Sequence, residues 1–559
     1  MIERRDLIKL GAGVAVGTGL TPIPWKLLDD TAIWSQNWSW IPKVPRGEIT
    51  VKNSTCTLCP AGCGVRAQCV AGAAVGMEGV SEHPLSRGVL CPVGYGAHCS
   101  PYHPRRIRQA EGSLDGVAAA LTRGPFAILD LGPRRAASSL YAEAAEATDG
   151  IYLRVPDRDE AFLDVLAARL GREPGSLGVD LENAKTLISF GAPVLDGWAT
   201  PGRVMDRWRS GELQVIQIER RQSRTALAAN VWRTSVDSIG DLGSLGKPVA
   251  VVGTEDLERV ADWNLELGGF VLRKPAPFGE PAGRTLSSVP DGSLSVLFID
   301  ASRAYDVISW PSIRRKLADK AVVVAFAYKK DALTAHADVV LPVAAPFEAM
   351  EDVGTPPCSA VAAWGTAPAL IDNPIVKDTA VDHFNRLLGL SLAPVADVIK
   401  KRVSAIEESK RGTITKLGDA IVWTDGPCGA SFSSGRALAR QKSGAEAPPE
   451  LKLAPHQLVL HVHSTRASDT TPLETKLDQE SGLYTPATIA RINPETSKSL
   501  NIPNNRIALL ETAHGTATRK ILLDPAVAPG IIEVAVTPAA DDVLNITDGA
   551  LTPVNVRKS

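Results

Sequence analysis

Three thiols in one short turn, Cys56-Thr57-Leu58-Cys59-Pro60-Ala61-Gly62-Cys63, and a fourth at Cys91 within Gly88-Val89-Leu90-Cys91-Pro92, restrict this chain more than any other feature. The spacing Cys-x2-Cys-x3-Cys-x27-Cys lets a tight loop supply one rim of a soft-metal site and a returning segment the other. We read it as the ligand set of one 4Fe-4S cluster, held by Cys56, Cys59, Cys63 and Cys91. Two simpler readings compete. Structural zinc also takes four thiolates, but usually as two Cys-x2-Cys pairs, and here the fourth thiol arrives alone. Disulfides would suit an exported chain. Cys69 and Cys99 lie close by. Cys69 falls in the alternating segment 65–77 and reads as a buried strand residue, so both are left outside the cluster.

Five of the eight cysteines fall between positions 56 and 91, so they serve a site and not a general disulfide framework. The 559 residues provide for three or four domains. Sixty basic against 62 acidic residues nearly cancel, which leaves no global charge to recruit nucleic acid. Beyond the N-terminus no stretch approaches about 18 continuous apolar residues, so the body is expected to be soluble and membrane attachment falls to the first segment or to partners.

That first segment pairs Arg4 and Arg5 ahead of a weakly hydrophobic, glycine-rich run over 10–20, the layout of a twin-arginine export signal. Residues 1–24 are therefore expected to be a signal or, lacking a small-x-small cleavage site, an interfacial anchor on the periplasmic side of the cytoplasmic membrane. An arm over 25–47 carries Trp25, Trp34, Trp38 and Trp40, four of the eleven tryptophans. It suits a partner, a membrane interface or a groove of its own chain. The cluster domain is expected over 48–110, with 65–77 as a strand. It ends in the basic segment Pro101-Tyr102-His103-Pro104-Arg105-Arg106-Ile107-Arg108, suited to an anionic cofactor or to a solvated loop.

Short buried runs at 126–131, 186–190, 214–218, 249–252, 295–299 and 321–325 alternate with helical patterns such as 160–170 and 311–318. This is βαβ rhythm, hence parallel sheets, in α/β domains over 111–245 and 246–395. A charged helix at 398–411 and a linker fill 396–450, and short strands over 451–559 predict a small β-barrel.

Taken together the motifs resemble the molybdopterin oxidoreductase superfamily, in its bis-pterin guanine dinucleotide branch with formate dehydrogenases and polysulfide reductases. The segments that carry the likeness are the cysteine motif, residues 180–192, Glu219-Arg220-Arg221-Gln222-Ser223-Arg224-Thr225-Ala226, and Ala337-Asp338-Val339-Val340-Leu341-Pro342 with Glu348. Ala490-Arg491-Ile492-Asn493-Pro494-Glu495-Thr496 and Asp524-Pro525-Ala526-Val527-Ala528-Pro529-Gly530 add to it. The resemblance implies an N-terminal 4Fe-4S β-domain, two Rossmann-like parallel-sheet domains and a C-terminal double-psi β-barrel.

The departures are equally informative. The lysine that active members carry beyond the fourth cysteine is replaced by Pro92-Val93-Gly94-Tyr95, and no cysteine occurs between Ala110 and Lys185 to bind molybdenum. Ser138, Ser139, Asp157 and Asp159 remain formal candidates, each also explained as a helix-face or capping residue. Ser238-Ile239-Gly240-Asp241 and Pro356-Pro357-Cys358 replace two further family patterns. The nearest subgroup is that of menaquinone reductase complexes and alternative complex III, whose molybdopterin-like subunit is catalytically silent. The resemblance then implies a non-catalytic subunit with one 4Fe-4S cluster and no molybdopterin guanine dinucleotide or molybdenum. It would dock on a ferredoxin-like iron-sulfur subunit, a polytopic quinone-binding membrane subunit and a multihaem cytochrome c. The alternative is an active molybdenum bis-pterin oxidoreductase of the formate dehydrogenase or polysulfide/thiosulfate reductase type.

Overall fold

The computed structural model describes residues 4–21, 24, 26–27, 47–103, 105–155, 157–219, 222–234, 245–281, 283–305, 308–426, 458–463, 489–536, 542–548 and 551–558. Trp25, Trp34, Trp38 and Trp40 of the arm, residues 238–241 and the linker at 445–450 lie outside them.

Strands Ile49–Thr55, Gly64–Val70 and Ala73–Gly79 form an antiparallel sheet at the head of the chain. The segment 65–77, expected as one strand, is therefore a hairpin. Ala71 and Gly72 both take positive φ, 49° and 78°, the left-handed pair that a two-residue turn requires. Small apolar residues flank the turn on both sides, which hides it in the alternation. The cysteine loop is the connection between the first two strands, whose register ends at Thr55 opposite Gly64.

Behind the head lies an all-parallel five-stranded sheet, in spatial order Val339–Pro342, Leu317–Ala327, Leu294–Asp300, Phe126–Asp130 and Ile151–Arg154. Alternate residues feed two cores. Phe126, Ile128, Phe298 and Phe326 pack on one face; Ala127, Leu129, Leu297 and Ile299 pack on the other. Phe298 sits among Phe126, Phe326 and Phe384 at ring-centroid distances of 5.8, 6.1 and 5.4 Å. Such ring pairs add about 0.5–1.5 kcal/mol each beyond area burial.

A second parallel sheet orders Val249–Gly253, Thr186–Phe190, Gln214–Ile218 and Val231–Arg233. The two sheets interleave along the chain and do not divide at residue 245: strands from 126–154 pair with strands from 294–342, and the second sheet is drawn from the residues between. The helix expected at 311–318 is only Trp310–Arg314, because the strand beside it starts at Leu317 and runs eleven residues.

An antiparallel sheet of Glu351–Val353, Ala363–Ala367, Ala420–Thr424 and Thr413–Leu417 has no counterpart in the sequence reading. The charged helix Val395–Ser409 packs Ile399 and Ile406 against Trp364 and Trp423 of this sheet. The C-terminal region is a mixed seven-stranded sheet whose edge strands are Leu551–Pro553 and Asn555–Lys558. Only Val554 separates them in sequence, so the sheet has to curl nearly closed for the chain to cross from one edge to the other. Asp548 ties it to the parallel sheet through Ser312 and Arg315, both at 2.9 Å. Helix Arg4–Leu20 buries none of its residues, and no described helix is long and apolar enough to cross a membrane.

Candidate iron-sulfur site and neighbouring crevices

Backbone geometry gathers the cysteine loop. Cys56 N donates to Cys63 O at 2.8 Å, and the Thr55 hydroxyl donates to Thr366 O at 2.8 Å, so both ends of the loop are pinned. Gly62 reverses the chain at φ 59°, and a Cβ there would stand 3.1 Å from Val353 Cγ1. On the returning segment Cys91 caps the short helix Pro92–Gly96, its Sγ accepting from Gly94 N at 3.4 Å. The return is packed against the hairpin so closely that a Cβ on Gly79 would lie 2.2 Å from Gly88 O. Cys56 and Cys63 are buried, and Cys59 and Cys91 are half-buried.

Burial pushes the Cys56 thiol well above its ordinary pKa, and the charges of Cys59 and Cys91 push it further. A thiol such as Cys56 that resists deprotonation alone takes up its thiolate form on a metal centre that compensates the neighbouring charges. The donor chemistry therefore fits an iron-sulfur cluster. Among the described residues no three His, Cys, Asp or Glu side chains gather tightly enough for a single ion. Cys69 stands apart: its thiol is raised by burial, and the charges that act on it most are Lys52 and Asp372.

The inner wall of the loop is charged. Thr57, between two of the thiols, donates its hydroxyl to Glu351 Oε2 at 2.9 Å and accepts from Arg303 Nε at 3.2 Å. Arg303 and Glu351 are themselves paired.

Beyond it each parallel sheet has a point on its C-terminal edge where the strand order reverses, the place at which α/β sheets bind ligands. In the five-stranded sheet this point falls between Phe126–Asp130 and Leu294–Asp300. Asp130 and Asp300, the last residues of those strands, are fully buried there. Arg135 donates to Asp300 at 2.6 Å and approaches Asp130 at 3.4 Å. Tyr141 donates to Asp300 at 2.8 Å, while Ser138 and Tyr152 donate to Asp130 at 2.6 and 3.0 Å. Burial raises the pKa of Asp130. For Asp300 burial acts the same way, but Arg135 together with hydrogen bonds from Ser302 and Tyr141 outweighs it and holds the carboxyl below its ordinary range. A cavity of about 40 Å³ remains beside this network, lined in part by Arg135, Tyr141, Glu351 and Asp352.

In the four-stranded sheet the reversal lies between Thr186–Phe190 and Val249–Gly253. Thr254 N and Glu255 N donate to Phe190 O at 3.0 and 3.2 Å. The Glu255 side chain covers Gly191, where a Cβ would meet its Cδ at 2.6 Å.

The formal molybdenum candidates are not brought together. Ser138 serves Asp130, and Ser139 accepts from Arg402 at 2.7 Å. Asp157 caps a turn by accepting from Asp159 N at 2.9 Å, and Asp159 accepts from Ala199 N at 2.7 Å. Cys358 is buried with its Sγ 3.1 Å from Asp159 O. Within the basic segment, Arg106 is committed internally, to Glu348 at 2.5 Å and to the carbonyls of Tyr328 and Val343. Sequence reasoning missed Arg135, Arg303, Glu351, Asp352 and Arg402. The one signal available was an aspartate closing each of two apolar runs, at 130 and 300.

Residues 49–103 match the family model described as the Molybdopterin oxidoreductase Fe4S4 domain. The "Menaquinone reductase, molybdopterin-binding-like subunit" of Nitratidesulfovibrio vulgaris is 31% identical over 220 residues, 36% of this chain and 31% of that protein. A sulfite dehydrogenase subunit of Allochromatium vinosum is 35% identical over 63 residues, 11% of this chain and 6% of that protein. The matches thus span less than a third of either relative. Among solved structures, acetylene hydratase from Pelobacter acetylenicus superimposes with a TM-score of 0.65 over 91% of this chain and 100% of its own, at 12% identity, a likeness of fold.

Proposed function

We propose, for a chain whose residues 49–103 match the Molybdopterin oxidoreductase Fe4S4 domain, that it belongs with the molybdopterin oxidoreductases, is an exported iron-sulfur electron-transfer subunit of a membrane-bound quinone oxidoreductase complex and has lost the molybdenum site. Its partners would be a ferredoxin-like iron-sulfur subunit, a polytopic quinone-binding membrane subunit and a multihaem cytochrome c. The name of the Nitratidesulfovibrio relative, a menaquinone reductase subunit that is molybdopterin-binding-like, supports the class of complex.

What supports the loss of the molybdenum site is that the chain's own side chains lie at both points of strand reversal. A pterin dinucleotide needs a pocket of at least about 300 Å³ and groups that welcome phosphate. Here Asp130, Asp300 and Glu255 offer carboxylates, and the space beside the first network is about 40 Å³. Arg135, the cation at that point, is already held by Asp300 and Asp130.

A bound cluster supplies one-electron transfer without bond making at a substrate. The chain's part is then to hold the sulfurs, to exclude water on the Cys56 and Cys63 side, and to leave Cys59 and Cys91 nearer the surface for electron exchange.

The test is recovery of the tagged chain from membranes of a strain that makes all its partners, followed by redox assay with a menaquinone analogue. We expect the three partner types to co-purify and quinone-linked electron transfer to accompany them. Recovery of this chain with bound pterin, turning over formate or polysulfide, would support the active molybdenum enzyme instead.

A further inference from the structure

Arg303 follows the C-terminal end of the central strand Leu294–Asp300, and its side chain is 2% exposed. Its guanidinium reaches the cysteine loop from inside, donating through Nε to Thr57 Oγ1 at 3.2 Å and through Nη1 to Ser302 O at 2.6 Å. Glu351 closes the triangle by accepting from Thr57 and pairing with Arg303, while its other oxygen lies 3.8 Å from Arg135. Thr57 stands between Cys56 and Cys59, so a fixed cation and a fixed anion both bear on the same rim of the ligand set. Arg303 is buried and Glu351 only 16% exposed, which limits the screening of both by solvent.

We propose that Arg303 is a positioning residue that sets the reduction potential of the cluster, with Glu351 acting in the opposite direction. The proposal rests on the cluster reading. Reduction adds one electron, supplied in the test by dithionite through mediators, and changes no bond. A buried positive charge against the rim favours the more negative, reduced cluster and raises its potential; the carboxylate lowers it.

The experiment is an EPR-monitored redox titration of the full-length protein, with iron content measured on each sample. The variants are Arg303→Gln, Arg303→Lys, Glu351→Gln and the Arg303→Gln/Glu351→Gln double variant. We expect iron content unchanged, a lower midpoint potential in Arg303→Gln, a higher one in Glu351→Gln, and values nearer the wild type in Arg303→Lys and the double variant. A purely structural role would move the two single variants the same way. Shifts of one sign, or none, with full iron would overturn the proposal. Should Arg303→Gln fail to fold, the double variant against Glu351→Gln isolates the Arg303 charge, and the double variant should have the lower potential of the two. Wild-type protein without iron would sink the cluster assignment itself, a result distinct from unshifted potentials.

Discussion

Serine in place of Cys59 offers iron a poorly matched oxygen donor, and metal binding and folding are coupled in a small head built around four thiols. Cys59→Ser is expected to lose the cluster and to melt the head at lower temperature; full iron content in that variant would refute the ligand assignment. His83 makes a second prediction. Its Nδ1 accepts from the amides of Leu85 and Ser86 at 3.3 and 3.1 Å, and burial lowers its pKa from 6.5 to about 4. The unfolded chain takes up this proton near pH 6.5 and the folded chain only near pH 4, so the unfolded state binds more protons in between. The contribution is intact above pH 6.5 and is lost as pH falls towards 4, by about 3 kcal/mol at about 1.4 kcal/mol per unit. His83→Asn keeps an acceptor and should flatten the acid limb of a denaturation-versus-pH profile. Asp352 is buried and accepts from Arg402, Trp364 and Ala136 N at 2.7, 2.7 and 2.6 Å. Removing its carboxylate in Asp352→Ala strands a buried guanidinium and should cost about 3–5 kcal/mol, read as a lower unfolding midpoint. The four thiols were legible because their spacing is local. Arg303, Glu351 and Arg402 were not, since each meets its partner across tens to hundreds of residues and nothing in its sequence neighbourhood marks it.

The elements that position the cluster depend on close backbone approaches. The Ala73–Gly79 strand ends where Gly88 O leaves room for no side chain at position 79, and this contact seats the segment that brings Cys91 back. Gly79→Ala should therefore lower iron occupancy, whereas Gly76→Ala, in the same strand with nothing within 4 Å of its Cβ, should not; equal iron in both would contradict this account of the return. Strands such as Thr186–Phe190 and Gln214–Ile218 were legible to the residue, because buried parallel strands read as continuous apolar runs bounded by polar residues. The hairpin at Ala71 and Gly72 was not, since its turn uses an alanine with positive φ that no propensity marks. Nor was the early start of Leu317–Ala327, where Asp319 and Lys320 lie on exposed positions of a strand whose apolar run begins later. Glu351–Val353 escaped because a three-residue strand carries too little pattern to detect.

Across the whole molecule, the α/β class and the strand-rich C-terminal region were legible from rhythm alone. The interleaving of the two parallel sheets was not, since pairing between Phe126–Asp130 and Leu294–Asp300 is a long-range choice that local sequence does not encode. Export belongs to this scale too. Replacing Arg4 and Arg5 with lysines should leave the folded, iron-loaded chain in the cytoplasm, measured by fractionation; unchanged delivery to the periplasm would exclude the twin-arginine route. The central claim concerns what the molecule carries: a cluster at its head and its own side chains where a pterin would lie. Elemental analysis for iron, molybdenum, tungsten and zinc on the purified complex, with a pterin fluorescence assay on the same sample, tests it most directly. After subtraction of the iron due to partner subunits, we expect about four irons for this chain with neither molybdenum, tungsten nor pterin; stoichiometric molybdenum and pterin bound to this chain would contradict the account.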